Sequence, residues 1–333
     1  MNFTYVLPEI IFGCGSLERI TEILKNSGLK KPLVVTSHGM VKREGYLNLI
    51  GIIGSSGLSL AVFNRVEPEP SIDTVIDCLN FAKEDNCDLV IGIGGGSVLD
   101  VAKKVGMDLK KMKLMIPTTA GTGSEVTHES VLKVNGKKKA FVDKELTPDV
   151  AIVDPELTMT MPPRLTAVSG IDALAHAIEC YDCKKDNILV KTLAFEAYTL
   201  LKDNLGKAVS NDREARINMS LGSMMAGMAF GNSGTALCHA LSYPLSNEGI
   251  PHGEAVALTL PYALEFNDFD EDVIKEIRRV ISEVGLTSGF KFQGDAQQMA
   301  ETVAEDTRHL SNNPREVTLN DIVGIFNKMK KDF

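Results

Sequence analysis

Hydrophobic and polar positions follow different patterns in the two halves of the chain. The first half alternates short β-branched runs with amphipathic stretches, which is typical of parallel strands joined by crossover helices. Residues 71–86 have apolar positions at near-helical spacing, and Ser71 is suited to cap the resulting helix. The predicted strands are residues 33–36, 60–63, 89–93, 114–116 and 150–153.

The pattern changes after residues 154–165, a segment with three prolines. Just before it, residues 129–144 are predicted to form a β-hairpin, because Asn135-Gly136 separates two strand-like runs. Beyond it no strand is predicted, and helices are expected at residues 165–182, 188–205, 212–230, after Thr235, and at 251–266, 271–284 and 295–310. We therefore predict an α/β domain over residues 1–160 and an all-helical domain over residues 161–333.

The segment from Ile217 to Asn247 contains no Asp, Glu, Lys or Arg. A charge-free stretch of this length raises the question of a membrane helix. Glycines, serines, His239 and Pro244 interrupt it, so a buried interior segment is the better interpretation and we expect no membrane association. The N-terminus has no basic region followed by an apolar run, so we expect no secretory signal and a cytoplasmic location.

Charge and cysteine content narrow the classes of protein further. Lys plus Arg total 35 against 44 Asp plus Glu, a net charge of −9, which argues against a nucleic-acid partner. Six cysteines in 333 residues are too sparse for a disulfide scaffold. Cys180 and Cys183 form a C-x-x-C, but no second pair accompanies it as a structural zinc site requires, so we interpret both as reduced.

Two segments carry the chemistry of a nucleotide site. Residues 89–104 run from a buried strand through Gly94-Gly95-Gly96-Ser97 into a helix that contains Asp100 and Lys103. The glycines let the backbone approach a ligand, and the helix N-terminus presents N–H groups to a phosphate. Residues 117–127, directly after the next strand, contain four threonines and a serine, whose hydroxyls suit ribose and phosphate oxygens.

A third constellation suits a metal ion. Asp172 and His176 are four residues apart, which places both side chains on one face of a helix. His239 lies in the charge-free segment, and His252 follows in Ile250-Pro251-His252-Gly253. Three imidazoles and one carboxylate can bind a catalytic divalent cation, Fe²⁺ or Zn²⁺, and leave a position open for substrate.

The segments GGGSVLDVAKK, PTTAGTGSEVT, DPELT followed by GIDALAHAIE, and LCHALSYPL followed by GIPHGEAV resemble the successive signatures of the iron-containing (group III) alcohol dehydrogenases. The similarity spans about residues 5–267, and residues 12–20 match the family's opening hairpin-to-helix segment. The resemblance implies a dehydroquinate synthase-like architecture: a Rossmann-like N-terminal domain, an all-helical C-terminal domain, and a cleft that holds NAD(P) and a divalent metal. We also expect a homodimer.

Site residues follow from the resemblance by position. The metal ligands would be Asp172, His176, His239 and His252. The cofactor would contact Gly94, Gly95, Gly96, Ser97, Asp100, Thr118, Thr119, Thr122 and Lys138. Counting back without gaps from Val150 selects Lys138, with Lys137 and Lys139 as its neighbouring alternatives.

This chain departs from the family's pattern at two further positions, Ser37 and Tyr243. Many NAD-preferring members have an aspartate after the first strand, but Ser37 stands there, which relieves repulsion against a 2′-phosphate. His38, Lys42 and Arg43 offer charge to neutralise such a phosphate, so NADPH is expected to be preferred or accepted. Tyr243 replaces a histidine that many members carry four residues after His239. Its hydroxyl is expected either to donate a hydrogen bond to the substrate oxygen or to serve helix packing.

The expected reaction is reversible hydride transfer between a nicotinamide and the carbonyl carbon of a small aldehyde or ketone, with the metal as Lewis acid. The form C-H-A-L-S-Y-P-L resembles subgroups that act on acidic substrates, including phosphonate-pathway aldehyde reductases and sugar-acid oxidases. Segments 106–115 and the chain after His252 are shorter than in larger members, which weakens any transfer of specificity. A dehydroquinate synthase-like lyase or cyclase that uses NAD transiently is the alternative, and a non-catalytic assembly protein is a third.

Overall fold

A six-stranded parallel sheet forms the centre of the N-terminal unit, Met1–Thr160, over its described residues. The computed structural model of the chain describes residues 3–286 and 294–332, so the outermost residues of both predicted domains lie outside it. The strands of this unit are β1 (Glu9–Phe12), β2 (Pro32–Val35), β3 (Ala61–Phe63), β4 (Leu89–Gly94), β5 (Met112–Pro117), β6 (Glu129–Val134), β7 (Lys137–Val142) and β8 (Val150–Val153). The sheet order is β1-β8-β5-β4-β2-β3, and β6 and β7 pair separately as an antiparallel hairpin.

Helices cover both faces of the sheet, as the alternating sequence predicts. They are α1 (Ile20–Ser27), α2 (Glu44–Ser55), α3 (Ile72–Glu84) and α4 (Gly96–Leu109). Along β2, Leu33 and Val35 pack into the core beneath α3 and α4, whereas Val34 faces the core beneath α1 and α2. At Gly92 a Cβ would lie 2.8 Å from the Ala102 Cβ, so the glycine is what lets α4 rest on the strand.

Strand order determines where this unit can bind a ligand. From β2 the chain moves to β3 on one side and then to β4 on the other, so the direction of winding reverses between β2 and β4. In parallel sheets of this kind ligands bind beyond the carboxyl ends of the strands at the reversal. The glycine loop follows β4 there, and Thr36 from the end of β2 donates its hydroxyl to the Ile93 carbonyl at 2.8 Å.

The second unit, Met161–Phe333, is helical over its described residues. Its helices are α5 (Pro163–Tyr181), α6 (Ile188–Val209), α7 (Arg213–Ser233), α8 (Leu237–Asn247), α9 (His252–Phe266), α10 (Glu271–Glu283), α11 (Ala296–Ala304), α12 (Thr307–Asn312) and α13 (Leu319–Asp332). The centre is α5, which is buried on nearly every side from Gly170 to Cys180. At Gly170 a Cβ would collide with Leu205 of α6, so this glycine permits close helix packing.

Most predicted elements are confirmed, with three differences. Residues 12–20 do not open with a hairpin, because β1 pairs in parallel with β8 and leads through a 3₁₀ turn into α1. The helix predicted over 295–310 is two helices, since Asp306 accepts the His309 amide at 3.2 Å and starts α12 anew. The sequence prediction lacked β1, α1, α2 and α13. The Asn135-Gly136 turn is confirmed, with φ of 51° and 79°.

Candidate metal centre and nucleotide site

Helix α5 carries three ionisable side chains along one buried face. Asp172 and His176 are four residues apart, and Glu179 follows three residues later, so all three project from neighbouring turns of the helix. Each is less than a tenth exposed. This stripe faces α8, which contributes His239, and His252 stands at the first position of α9.

The Nε2 atoms of three histidines converge on a single oxygen, Asp172 Oδ1, at 3.9 Å (His176), 3.7 Å (His239) and 3.6 Å (His252). These distances are too long for hydrogen bonds. Two ligand atoms that each lie about 2.1 Å from one tetrahedral ion are about 3.4 Å apart, so the observed spacing suits ligands around a shared cation. The ligand atoms of Asp172, His176 and His239 all lie within 4.8 Å of one another.

Two buried atoms at the centre of this cluster lack a hydrogen-bond partner: Asp172 Oδ1 and His239 Nε2. Buried polar atoms in folded proteins are nearly always paired, so these two indicate a missing partner. A divalent cation would satisfy both atoms at once. The donor set of imidazole nitrogens and one carboxylate oxygen also fits Fe²⁺ or Zn²⁺, so the residues present fit the metal that the sequence implies.

The acidic and histidine side chains of the cluster shift one another's pKa values toward the charged forms. Burial alone would raise the pKa of Asp172, but the three histidines outweigh it and hold that pKa well below its ordinary value. Burial alone would lower the pKa of His239, but Glu179 and Asp172 raise it to about 9. The site therefore holds a charged carboxylate and attracts positive charge to its centre.

Glu179 is a site residue that the sequence analysis missed. Its Oε2 lies 2.5 Å from His239 Nδ1, and its Oε1 accepts the Cys238 amide at 2.5 Å. An imidazole whose Nδ1–H donates to a carboxylate presents the lone pair of Nε2 to the ligand site. The signal was present, because Glu179 continues the helical spacing of Asp172 and His176 by one more turn.

Aromatic side chains surround the histidines. Phe230 stacks on the His176 ring with centroids 4.1 Å apart. Tyr243 lies parallel to His252, with centroids 6.3 Å apart, and meets His309 edge-on at 5.7 Å. Phe230, His239 and Tyr243 all come from the charge-free segment, so that segment forms one wall of the cluster.

A fourth histidine, His309, was also missed. Its Nδ1 lies 2.6 Å from Asp306 Oδ2, and its ring centroid is 6.4 Å from that of His239. Asp306 is itself mostly buried, and although burial opposes the shift, the bond to His309 lowers the pKa of its carboxyl. No spacing in the sequence could have indicated the approach of His309 to His239, because it depends on how α12 packs against α8.

In the N-terminal unit, the glycine loop and the threonine loop pack directly against each other. The Thr118 amide donates to the Gly94 carbonyl at 2.9 Å. A Cβ on Gly95 would lie 3.3 Å from Thr119, and one on Gly96 would lie 2.7 Å from the Thr122 hydroxyl. No side chain caps the N-terminus of α4 at this point. The amides of these partly exposed residues and the nearby hydroxyls make a surface that fits a diphosphate.

Asp100, which the sequence implies as a cofactor contact, forms hydrogen bonds within the protein. One carboxylate oxygen accepts the Ser124 hydroxyl at 2.6 Å, and the other accepts the Val131 amide at 2.9 Å. The fully buried Lys103 lies 3.4 Å from the same carboxylate and donates to the Ser124 carbonyl at 2.9 Å. Both residues thus tie the threonine loop and the hairpin to α4, so we expect Asp100 to position the loop.

Of the remaining cofactor candidates, Ser37 lies at the carboxyl end of β2 and Lys138 lies on β7 of the hairpin. Ser37 follows β2 and is partly exposed, with His38 and Lys42 exposed nearby. Arg43 is instead engaged, since its guanidinium donates to the Thr160 hydroxyl at 3.1 Å. Lys138 is half-buried and forms an ion pair with Glu69 at 2.7 Å, whereas its neighbours Lys137 and Lys139 are exposed on the other face of β7. All six cysteines are free.

Comparisons with known proteins agree with this architecture. The family model "Iron-containing alcohol dehydrogenase" matches residues 8–155, and the model of the C-terminal part of that family matches residues 166–289. Long-chain-alcohol dehydrogenase 1 of Geobacillus thermodenitrificans is 38% identical over 85% of this chain and 78% of its own length. NADPH-dependent butanol dehydrogenase of Clostridium saccharobutylicum is 38% identical over 80% and 74%.

A solved structure extends the likeness to the whole chain. Sulfoacetaldehyde reductase from Bifidobacterium kashiwanohense, in complex with NAD⁺, superposes with a TM-score of 0.92 at 31% identity and covers 100% of both chains. These matches define an alcohol or aldehyde oxidoreductase, and they support a metal and a nicotinamide cofactor. The chain belongs to the iron-containing alcohol dehydrogenase family, which confirms the resemblance read from the sequence. Across residues 3–286 and 294–332, none of the helices is both long and apolar enough to cross a bilayer.

Proposed function

We propose that this protein catalyses the NAD(P)H-dependent reduction of a small aldehyde, and the reverse oxidation of the alcohol, at a divalent cation held by Asp172, His176, His239 and His252. The observation that carries the proposal is the convergence of three imidazole nitrogens on Asp172 Oδ1, which with His239 Nε2 is buried and unpaired. Fe²⁺ and Zn²⁺ both suit this donor set.

The protein's own groups prepare the site for that chemistry. A bound cation supplies a Lewis acid for the carbonyl oxygen, and a bound nicotinamide supplies the hydride. Glu179 fixes the orientation of the His239 ring, and Phe230 packs on His176 and keeps water from that side. Tyr243 is placed beside His252, where its hydroxyl can donate a hydrogen bond to a substrate oxygen.

The dinucleotide is proposed to lie along the carboxyl ends of β2, β4 and β5. Amides of Gly95, Gly96 and Ser97 at the start of α4 would hold the diphosphate, supported by the hydroxyls of Thr118, Thr119 and Thr122. We propose that NADPH is accepted, because Ser37 brings no negative charge to the adenosine ribose and His38 and Lys42 are exposed beside it. Comparing kcat/KM for both cofactors tests this, and a strong preference for NADH would contradict it.

The proposed substrate carries an acidic group. Support comes from the similarity to a sulfoacetaldehyde reductase and from the segment C-H-A-L-S-Y-P-L, whose form resembles subgroups that act on acidic substrates. The test is a matched panel of aldehydes in which a carboxylate, phosphonate or sulfonate replaces a neutral group of similar size. A higher kcat/KM for every neutral member would refute the acidic class while leaving aldehyde reduction intact.

Metal analysis together with turnover tests the core of the proposal. The purified protein should contain close to one divalent cation per chain, and His176→Ala should remove the cation and the turnover while NADPH still binds. Net oxidation of NADPH in the presence of aldehyde separates reduction from a lyase or cyclase reaction, in which the cofactor returns to its starting state. Full activity in a metal-stripped sample would overturn the proposal.

A further inference from the structure

Glu69 has an unusual backbone conformation beside the nucleotide site. It lies in the loop between β3 and α3, and its φ of 52° falls in the left-handed region. That region is costly for most side chains and is tolerated best by glycine and asparagine. Such strain persists where the surrounding structure requires a particular side chain, and it is concentrated at functional sites. The carboxylate of Glu69 therefore needs an explanation.

The carboxylate bridges two lysines of the hairpin. Glu69 Oε2 lies 2.7 Å from Lys133 Nζ, and Glu69 Oε1 lies 2.7 Å from Lys138 Nζ. Lys133 and Lys138 are directly opposite each other in the β6–β7 register, so one side chain holds both strands. The Glu69 pKa stays below its ordinary value because the lysines outweigh the effect of burial. The carboxylate is thus charged at neutral pH.

The backbone of the same residue reaches the glycine loop. The Glu69 amide donates to Ser97 Oγ at 3.3 Å, and the adjoining Pro70 carbonyl accepts the Lys133 amide at 2.8 Å. One residue therefore connects the first turn of α4 with the hairpin that carries Lys138. Since the side chain is 37% exposed, the ion pairs themselves add little to the stability of the fold. What the strained residue does provide is a fixed position for the two lysines and the glycine loop.

We propose that Glu69 is a positioning residue for the cofactor, which holds Lys138 and Ser97 in the arrangement that receives the dinucleotide. This inference rests on the proposed function, in which Ser97 holds the diphosphate, and on Lys138 being the cofactor-contacting lysine that the family resemblance implies. Glu69 would do so without touching the nicotinamide or the substrate. Its loss should therefore raise the cofactor Kd and KM and leave kcat nearly unchanged.

Positioning and simple charge attraction predict opposite results. Glu69→Gln makes the lysine pair more positive, so attraction to the cofactor phosphates alone would tighten NADPH binding, most clearly at low salt. If Glu69 positions Lys138, the same change lets the lysine move and weakens binding by about fivefold to tenfold. Titration of the full-length protein with NADPH, followed by cofactor fluorescence, measures the Kd directly without turnover.

A double-mutant cycle identifies the path of the effect. Lys138→Met should also weaken NADPH binding by about fivefold to tenfold, and the double variant with Glu69→Gln should bind no more weakly than Lys138→Met alone. Lys139→Met is the matched control, because this exposed lysine lies over Phe141 and should leave Kd unchanged. Tighter binding by Glu69→Gln, or effects that multiply in the double variant, would overturn the proposal.

A further variant separates the side chain from the backbone strain. Asparagine tolerates left-handed φ but cannot bridge the two lysines, so Glu69→Asn should bind NADPH as weakly as Glu69→Gln while unfolding at a higher temperature. Normal affinity in either variant would show that the carboxylate has no positioning role. If the unsubstituted protein bound neither NADPH nor NADH, the proposed function would fall and this inference with it.

Discussion

Replacing Glu179 by glutamine removes the charge that orients His239 and changes almost nothing else in shape. In the structure, one carboxylate accepts two hydrogen bonds, from the His239 imidazole and from the Cys238 amide, each at 2.5 Å. A glutamine has one acceptor oxygen, so its NH₂ group must face one of these donors. One buried donor then loses its partner, at a cost of about 1–3 kcal/mol.

The expected result is weaker metal binding more than weaker folding. Outer carboxylates that hold a metal-ligating histidine contribute about tenfold to a hundredfold to metal affinity. We expect Glu179→Gln to lose metal affinity in that range, measured by competition with a chelator of known affinity, and kcat/KM to fall in proportion to occupancy. Glu276→Gln is the control, because Glu276 pairs with Tyr198 and Lys202 outside the cluster. Unchanged affinity in Glu179→Gln would refute the argument that this carboxylate sets the His239 tautomer.

Three further predictions concern packing and protonation. Gly253→Ala adds a Cβ that collides with the Val168 carbonyl, so α9 should shift and metal content fall severalfold in elemental analysis. Gly96→Ala places a Cβ 2.7 Å from Thr122, so NADPH binding should weaken at least tenfold in a titration while metal content stays constant. Burial raises the Glu125 pKa from 4.5 to about 7, so the folded state binds that proton more tightly. The unsubstituted protein should therefore lose stability as pH rises from 4.5 through 7, whereas Glu125→Gln should not. Denaturation should show the free energy of unfolding of Glu125→Gln rising by up to about 3 kcal/mol relative to that of the unsubstituted protein over this pH range.

Local patterns in the sequence carried much of the fold. Continuous apolar runs predicted strands such as β4. Ser71 caps α3 as expected, and its hydroxyl accepts the Thr74 amide at 3.2 Å. Segments with weaker periodicity were missed: α2 contains three glycines, and the break before α12 depends on one aspartate cap. The opening hairpin came from the resemblance, and the parallel pairing of β1 with β8 could not be seen in four residues.

The candidate site was likewise predictable where its residues are close in sequence and not where they come from distant elements. Asp172 and His176 share a helix and were indicated by spacing, whereas His239 and His252 were added only as further imidazoles in the helical half. In the structure all three histidines lie around Asp172 Oδ1. Contacts between distant elements, such as His309 with Tyr243, depend on packing angles that no local pattern encodes. The pairing of Lys138 with Glu69 was missed for the same reason. Counting residues along the sequence can select a lysine, but it cannot identify the residue that pairs with it.

The convergence of α5, α8 and α9 on Asp172 Oδ1 also bears on how the helical unit withstands heat. A cation held there would tie three helices together only while they are folded, and the unfolded chain would offer no such site. Ligand linkage then adds about 2.7 kcal/mol to the free energy of unfolding when the free cation exceeds its dissociation constant a hundredfold. The melting temperature of this unit would therefore depend on the concentration of free metal. Depletion of the cation would remove this added free energy of unfolding together with the activity.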